Sequence, residues 1–383
     1  MNPLASLVND GDVNLRLAQR QDVTQLVALE QTAFKTDQLS ARSFRRWVAS
    51  PHGVLLLAEQ GSQLLGYGLV WCHKGTQLAR LYSLAVSPQA RGLGLGKQLL
   101  QELESQCLQQ GYFLMRLEVA KGNVAAIALY ESMGYRVFGE YLDYYDDHGD
   151  ALRMQKNMRQ RLRQQKCLDH PQGRDPWYQQ TTEFTCGPAS LLMAMNKVND
   201  HFEMNQREEI NIWREATTVF MTSGHGGCHP LGLALSAHRR GFEVEVVMNT
   251  ASPLFIEGVR DPNKKAIMAL VHEEFLAQSQ QVGLSLSIEE VSQGHLDAWL
   301  ERGASVLVLI STYRLDGKKA PHWVMISGAD ERCFYLHDPD LGDDQQPMDC
   351  QHLPIAREDF EKMSAFGRGR LRAALAVMCK SEQ

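Results

Sequence analysis

The sequence contains no apolar run near the ~20 residues that a membrane-spanning helix needs. Its first residues, MNPLASLVNDGDV, have neither a basic start nor a long apolar segment, so we predict no secretory signal. Positive charge is not in excess, and the formal net charge of -6 gives no electrostatic reason to expect nucleic acid as the main partner. These absences predict a globular, cytoplasmic protein without a membrane span.

The eight cysteines form no C-x-x-C pair and no dense framework, so we expect free thiols in a reducing compartment. Most of them should pack as small apolar side chains. The segment SGHGGCHPLG does bring His225, Cys228 and His229 together, but one cluster supplies three ligands at best, and we predict no metal site. We interpret this segment as a Gly-rich loop beside a cleft, and leave open that Cys228 or His225 contacts substrate.

Length and pattern predict two domains, because 383 residues are many for a single core. Residues 1–158 alternate strands and helices. Residues 159–175 are basic and contain a proline, which indicates a linker between domains. In residues 176–383 the helical patterns come first and the strand patterns follow, which is typical of an α+β layout.

The segment RGLGLG, residues 91–96, lies between a predicted strand and a predicted helix. Glycines let the backbone approach an anion closely, and the first amides of a helix point towards it, so a pyrophosphate fits here. The loop follows the fourth strand, and no lysine–serine pair of a P-loop follows it, so neither a dinucleotide fingerprint nor a P-loop matches. The glycines alone are equally consistent with a simple turn.

In its context, this loop resembles the signature of the GNAT acetyltransferase family, Arg/Gln-x-x-Gly-x-Gly/Ala, which Arg91, Gly94 and Gly96 match. The resemblance covers roughly the first 157 residues, and YLDYYDDHGDALRMQKNM is similar to the RimI-type branch, which acetylates protein N-termini. It implies an α/β GNAT fold with a mixed, mostly antiparallel sheet, acetyl-CoA as cofactor, and a peptide or protein amine as acceptor.

The same resemblance implies roles for individual residues. The acetyl and pantetheine arms would contact Leu84, Ala85 and Val86. The pyrophosphate and the rest of the cofactor would be held by Arg91, Gly92, Leu93, Gly94, Leu95, Gly96, Lys97 and Asn123. Glu118 would be the general base for the incoming ammonium, and Tyr130 the general acid for the leaving thiolate, which is the chemistry that this reaction needs. Taken singly, Glu118 is typical of a strand surface and Tyr130 of a core.

The segment QQTTEFTCGPASLLMAM, residues 179–195, places one cysteine where a helix is about to begin. We expect Thr185 to cap this helix, and Pro188 is tolerated in its first turn. A thiolate at a helix N-terminus is stabilised by the positive end of the dipole and by free amides. We therefore predict that Cys186 is a nucleophile, which also needs a base.

The base that we predict is His322, in APHWVMISGAD, with Asp338, in LHDPD, as its orienting carboxylate. The two residues belong to consecutive strand patterns, so an antiparallel pair would let them face each other. The carboxylate would then orient the imidazole and stabilise its charged form. Taken alone, His322 is typical of a structural histidine in a strand whose ring nitrogens are hydrogen-bonded. Taken alone, Asp338 is typical of a turn residue before proline.

This arrangement resembles the papain-like cysteine peptidases, and most closely the family that cleaves bacteriocin leader peptides. The similarity covers roughly residues 176–345, with TCG in place of the usual DCG. It implies an α+β papain-like fold, and it implies that Gln180 and the backbone amide of Cys186 form the oxyanion hole. The two halves together predict an enzyme that cleaves and acetylates peptides. A transpeptidase or amidase, or a non-catalytic peptide-binding domain, remains the alternative.

Overall fold

The computed structural model describes residues 13–34, 36–159, 176–220, 225–315, 320–342 and 345–380. The chain forms two compact units, Met1–His170 and Pro171–Gln383, here called unit 1 and unit 2. The predicted linker, residues 159–175, lies outside the described residues except for Arg159.

Unit 1 is built on a sheet whose seven described strands have the order β1-β2-β3-β4-β5-β7-β6. The strands are β1 (Asn14–Leu17), β2 (Gly53–Gln60), β3 (Gln63–Cys72), β4 (Leu78–Val86), β5 (Leu114–Ala120), β6 (Arg136–Tyr141) and β7 (Ala151–Asn157). The helices are α1 (Val23–Ala33), α2 (Ala41–Ala49), α3 (Leu95–Gln109) and α4 (Val124–Ser132). All neighbouring strands are antiparallel except β4 and β5, which run parallel. This mixed sheet is the GNAT architecture that the sequence predicts.

The apolar residues of β2 alternate between two cores because successive side chains of a strand point to opposite faces. Leu55 and Leu57 pack with α1 and α2 on one face. Val54 and Leu56 pack with α3 on the other. The sheet is therefore covered on both sides, and any cleft that reaches it must open where two strands separate.

Unit 2 is built on a second sheet whose described strands have the order β13-β12-β11-β10-β14-β8-β9. The strands are β8 (Phe242–Met248), β9 (Ser285–Ile288), β10 (Ser305–Ser311), β11 (Pro321–Ala329), β12 (Cys333–His337), β13 (Leu353–Ala356) and β14 (Ala373–Cys379). The helices are α5 (Cys186–Val198), α6 (Gln206–Ala216), α7 (Pro230–Arg239), α8 (Pro262–Gln281), α9 (Gln293–Glu301) and α10 (Arg357–Met363). Only β8 and β9 run parallel, which agrees with the predicted α+β layout.

Helix α5 is the central helix of unit 2, and its residues Leu191–Met195 are fully buried. A helix that is apolar on every side must be surrounded by other elements. It packs with α6 and α7 and against β10, β11 and β14. The first turn of α5 is thereby fixed beside the start of β11.

No helix in the part of the chain that the structure describes combines the length and the apolar character needed to cross a membrane.

Candidate active sites

The cleft of unit 1 opens where β4 and β5 separate. Their parallel ladder runs from Leu78 beside Leu114 to Leu81 beside Leu117 and ends there, although both strands continue. On its other side β4 has a register shift against β3, which leaves Tyr82 as an extra residue. A β-bulge bends a strand and increases its twist. The backbone of β4 from residue 82 to 86 therefore faces a gap in the sheet.

The glycine loop lies at the end of this gap. Gly92 and Gly94 have φ angles of 82° and 76°, and a Cβ atom at either position would meet no heavy atom within 4 Å. Gly94 is also the N-cap residue of α3, whose first amides have no intrahelical acceptor. A Cβ on Gly96 would lie 3.4 Å from Leu129 of α4 and 3.7 Å from Val86 of β4. The loop, β4 and α4 therefore converge on one open site.

This site fits a CoA thioester. The open space over Gly92 and Gly94 and the free amides at the start of α3 suit a pyrophosphate. The exposed Arg91 and Lys97 add positive charge beside the same loop. Asn123 caps α4 through its side chain, which accepts a hydrogen bond from the Ala126 amide, and it is exposed at the cleft end of that helix.

Glu118, the predicted general base, is held by an ion pair. The Arg80 guanidinium donates to Glu118 Oε2 from Nε at 2.9 Å and from Nη2 at 2.7 Å, and both side chains are almost fully buried. Arg80 also donates to the Tyr144 hydroxyl at 3.1 Å. A carboxylate beside a guanidinium is a weaker proton acceptor than a free one. The base role of Glu118 stays a prediction, and Arg80 is the partner that the sequence did not reveal.

Tyr130, the predicted acid, is 7% exposed and packs edge-on against Tyr135, with ring centroids 5.8 Å apart. Burial raises the pKa of Tyr130, with smaller contributions from Tyr145 and Glu118. Its hydroxyl therefore stays protonated at neutral pH and can donate. Burial and the charge of Glu118 also raise the pKa of Tyr145 to about 12. Tyr130, Glu118 and Tyr145 thus interact electrostatically around the cleft.

In unit 2 the structure brings together the three side chains of the predicted thiol site. Cys186 is the first residue of α5, and His322 lies near the start of β11. His322 Nε2 lies 2.7 Å from Asp338 Oδ1, just after the end of β12. Cys186 lies close enough to His322 to contribute to the pKa of the imidazole. Because Nε2 contacts the carboxylate, Nδ1 is the ring nitrogen left for the sulfur.

The charge state of His322 follows from these contacts. Burial of the imidazole opposes protonation, but Asp338 and Cys186 outweigh it and hold the pKa of His322 well above its usual value. The proton therefore resides on the imidazole over the neutral pH range. A protonated imidazole between a carboxylate and a sulfur is the arrangement that supports a thiolate–imidazolium pair.

Close packing fixes the start of α5. A Cβ on Gly187 would lie 3.0 Å from Cβ of Cys228 and 3.1 Å from Cδ1 of Trp323, so only glycine fits without displacing its neighbours. The Trp323 indole donates to the Cys228 carbonyl at 3.1 Å. Thr185 does occupy the N-cap position, but the expected cap is wrong, because its hydroxyl bonds to Thr182 instead. This leaves the first amides of α5 without a side-chain cap from Thr185.

Gln180, the predicted oxyanion donor, is placed by the turn that carries Asp338. Its backbone amide donates to the Pro339 carbonyl at 2.9 Å, and its side-chain amide donates to Asp340 at 3.3 Å. Trp177 also donates to the Asp338 carbonyl, at 2.8 Å. The segment before α5 is therefore joined to the end of β12, on the side of the site where Asp338 lies.

The Gly-rich segment splits into two environments. His225 is exposed and packs against Phe184 and, edge-on, against Trp213, with ring centroids 4.7 Å and 6.1 Å away. Cys228 is buried beside Gly187, and burial together with Cys186 raises its pKa well above the usual value. His229 is buried in the core of unit 2. Among the described residues, no group of three or more His, Cys, Asp or Glu side chains could hold a metal ion.

His229 belongs to a buried hydrogen-bond chain. Its Nδ1 accepts from the Leu231 amide at 3.1 Å, so the neutral ring carries its proton on Nε2. That nitrogen lies 2.9 Å from Nδ1 of His272, whose Nε2 lies 2.9 Å from the Ala251 carbonyl. Every position in this chain is filled when both rings are neutral. Burial and His272 accordingly lower the pKa of His229 well below its usual value.

We expect unit 2 to lose stability in mild acid because of this pair. A histidine with a lowered folded-state pKa stabilises the fold above its unfolded value of about 6.5, and this stabilisation falls by about 1.4 kcal/mol per pH unit below that value. His322, with a raised pKa, has the opposite sign: its stabilising contribution is fully present below about 6.5 and is lost only as pH rises above that value. Hydrogen exchange of α7 and α8, corrected for intrinsic rates, should therefore accelerate about tenfold for each unit by which pH falls below about 6.5. His201→Gln, at an exposed position, should leave this dependence unchanged; exchange in wild type that does not depend on pH would contradict the assignment.

Comparison with known proteins identifies a family for each unit. Residues 20–135 match the Acetyltransferase (GNAT) family, and residues 175–378 match the Peptidase_C39 like family. Unit 1 is thus an acetyltransferase domain of the GNAT class that uses acetyl-CoA. The chain as a whole belongs to the Peptidase_C39 like family, with a RimI-like acetyltransferase domain joined to it.

Unit 1 is similar to several acetyltransferases over most of their length. The putative ribosomal protein bS18-alanine N-acetyltransferase of Bacillus subtilis is 28% identical over 142 residues, 37% of this chain and 91% of that protein. The N-alpha-acetyltransferase RimI of Mycobacterium tuberculosis is 31% identical over 154 residues, 38% of this chain and 92% of that protein. The crystal structure of the ribosomal-protein-S18-alanine N-acetyltransferase from Escherichia coli is 25% identical, covering 38% of this chain and 94% of that one, with a TM-score of 0.36.

Proposed function

We propose that this protein is a bifunctional, cytoplasmic peptide-tailoring enzyme. Unit 1 transfers an acetyl group to the α-amine of a peptide or protein, and unit 2 cleaves a peptide bond through Cys186. The observation that supports the second activity is the 2.7 Å contact between His322 and Asp338, with Cys186 near enough to help raise the pKa of His322. We propose residues 1–158 as the limits of the acetyltransferase domain and residues 176–383 as those of the peptidase domain.

The acceptor class follows from the charges at the cleft and from the names of the relatives. Acetyl-CoA supplies the acetyl thioester. Glu118 provides negative charge for the incoming ammonium, and the backbone of Leu84, Ala85 and Val86 faces the gap between the strands. Relatives named as alanine N-acetyltransferases make a peptide with a free N-terminal alanine the first acceptor to test.

Tyr130→Phe should lower kcat for acetyl transfer by about 100-fold, because a positioned proton donor contributes roughly that much. The ring packing against Tyr135 is unchanged in this variant, so KM for acetyl-CoA should hardly move. Steady-state kinetics on the alanyl peptide measure both values. Tyr112→Phe, which removes the hydroxyl of a half-buried tyrosine elsewhere in unit 1, is the matched control. Equal rates for Tyr130→Phe and wild type would remove Tyr130 from the reaction.

The thiol reaction in unit 2 proceeds in two steps. The Cys186 sulfur attacks the amide carbon and a C–S bond forms, while His322 gives its proton to the departing amine as the C–N bond breaks. His322 then takes a proton from water, whose oxygen attacks the thioester carbon; the C–S bond breaks, the carboxylic acid is released, and the Cys186 thiolate and protonated His322 are restored. The Cys186 amide and the Gln180 side chain are the proposed donors to the oxyanion.

A transpeptidase would share the first step and differ in the second, where an amine replaces water. An amidase would also use water in the second step and would differ only in the amide that it cleaves. Trapping the acyl-enzyme and then adding amines separates these outcomes by the mass of the product. A non-catalytic binding domain would form no acyl-enzyme at all. Incubating the full chain with acetyl-CoA and a peptide library tests the whole proposal: a cleaved fragment with an acetylated new N-terminus is expected, because cleavage creates an α-amine. A mixture with neither product contradicts it.

A further inference from the structure

A carboxyl group that the proposed chemistry does not use is buried in unit 1. Glu30, on α1, is 1% exposed and lies among the apolar side chains of α1, α2 and the sheet. Burying a carboxyl costs free energy unless hydrogen bonds compensate it. Burial raises the pKa of Glu30 above its usual value, which makes its carboxylate a stronger base than an exposed one.

Hydrogen bonds join Glu30 to the cleft. The Tyr67 hydroxyl donates to Glu30 Oε2, and the Tyr67 and Ser83 hydroxyl oxygens are 2.7 Å apart. A tyrosine has one hydroxyl proton, so while Tyr67 donates to Glu30 it must accept from Ser83. The chain is therefore ordered from Ser83 through Tyr67 to Glu30. The other carboxylate oxygen, Oε1, accepts from the Leu39 amide at 2.9 Å.

The Ser83 end of this chain reaches the acceptor side of the cleft. Ser83 lies on β4 beyond Leu81, where the ladder with β5 has ended, and it is only half-buried. It directly follows the bulged Tyr82, whose ring contacts Trp47 of α2 at 5.6 Å. Arg80, the partner of Glu118, lies over the same Tyr82 ring at 5.6 Å. Ser83 and the Arg80–Glu118 pair therefore line one face of the gap.

We propose that Ser83, Tyr67 and Glu30 form a proton relay that removes the proton from the acceptor ammonium, an inference that rests on the proposed transfer to an α-amine. The ammonium gives a proton to Ser83 Oγ, Ser83 gives its own to Tyr67, and Tyr67 gives its own to Glu30. The two hydroxyls end as they began, the amine becomes neutral, and the Glu30 carboxylate becomes a carboxylic acid. Glu118 keeps its ion pair with Arg80 and attracts the ammonium.

A purely structural role would look different. Glu30 also fixes the segment between α1 and α2 through Leu39, so its loss could act on folding alone. Such an effect would lower the rate equally at every pH. A relay matters only while the amine arrives protonated, which for an α-amine with a pKa of about 8 means below that pH.

The test uses the full chain, acetyl-CoA and a peptide with N-terminal alanine, with Glu30→Gln, Tyr67→Phe and the double variant. We expect each single variant to lose ~100-fold in kcat at about pH 6.5 and no more than about threefold at about pH 9.5. The double variant should lose no more than either single one, because both act in one chain. Ser83→Ala should behave likewise. Isotope-labelled glutamate carboxyl NMR, assigned by difference with Glu30→Gln, should show Glu30 titrating above the usual range, with a midpoint that moves in Tyr67→Phe.

Different failures point to different errors. A defect of equal size at every pH, or a Glu30 resonance that does not titrate in the range where transfer occurs, overturns the relay and leaves the proposed function intact. A wild-type chain that binds acetyl-CoA but never acetylates the peptide α-amine overturns the acceptor class and the relay with it.

Discussion

Replacing Cys186 by alanine should abolish peptide cleavage by the full chain while acetyl transfer stays within about twofold of wild type. The sulfur is the atom that forms the covalent bond, and removal of a catalytic nucleophile typically costs at least about 10⁴-fold in kcat. The change is small, and Cys186 is only partly buried, so unit 2 should still fold. Fragments of a peptide library, quantified by mass spectrometry, measure the loss, and acetylation in the same sample shows that unit 1 is intact.

Cys379→Ala provides the matched control, because Cys379 is an exposed cysteine of the same unit and lies outside the proposed site. It should cleave as fast as wild type. Alkylation with iodoacetamide gives an independent readout. Loss of cleavage should follow modification of Cys186 and should be independent of modification at Cys379. Cleavage that survives in Cys186→Ala would assign the reaction to another group.

Local signals in the sequence were enough to predict the elements around both sites. Short continuous apolar runs predict the buried strands of unit 1, and the structure shows why, since the consecutive residues Leu55 and Leu56 enter opposite cores. The helix that begins at Cys186 was predicted from the apolar run after it and the tolerated Pro188. His322 lies on β11 and Asp338 directly follows β12, the antiparallel strand beside it, so a short connection brings them together.

Partners that are distant in the chain could not be predicted in the same way. Glu118 has Arg80 as its partner because β4 and β5 run parallel in register, which a strand pattern does not specify. Strand β14 lies between β8 and β10 in the middle of its sheet, although it is the last described strand in the chain. Helices α2 and α6 carry many charged residues, and no helix is predicted for either segment. Burial by tertiary contacts stabilises such elements more than their own propensity does.

The same limit applies to the Glu30 chain. Glu30 is within an amphipathic helix, where one carboxylate among apolar residues is common, so the sequence pattern does not indicate that it has a function. The proposed role of Glu30 depends on its hydrogen bond to Tyr67 on β3 and on the hydrogen bond between Tyr67 and Ser83 on β4. The second of these depends on the bulge at Tyr82. A one-residue bulge shifts which side chains share a face. No periodicity in the sequence marks that position.

The second large effect is expected from Asp338→Asn, which should lower peptide cleavage by about 10³-fold or more, since removing the orienting charge of a triad costs roughly that much. Asparagine keeps the Oδ1 acceptor for His322 and for the Asp340 amide, at 2.7 Å and 2.9 Å in the structure, so the geometry should survive. Only the charge is lost. Asp359→Asn, which removes a carboxylate paired with Arg314, is the control for net charge.

The pH profile of Asp338→Asn distinguishes charge from geometry. In the folded chain the carboxylate raises the pKa of His322, so the imidazolium and its stabilising contribution persist as pH rises until that raised pKa is passed. Burial of the imidazole lowers the pKa of His322, and Asp338 opposes this effect. Without the carboxylate, the pKa of His322 should therefore fall. The alkaline limb of kcat/KM for cleavage should therefore move to lower pH in the variant. A reduced rate with an unmoved limb would mean that Asp338 only holds the ring in place, and that its charge contributes nothing to the ion pair.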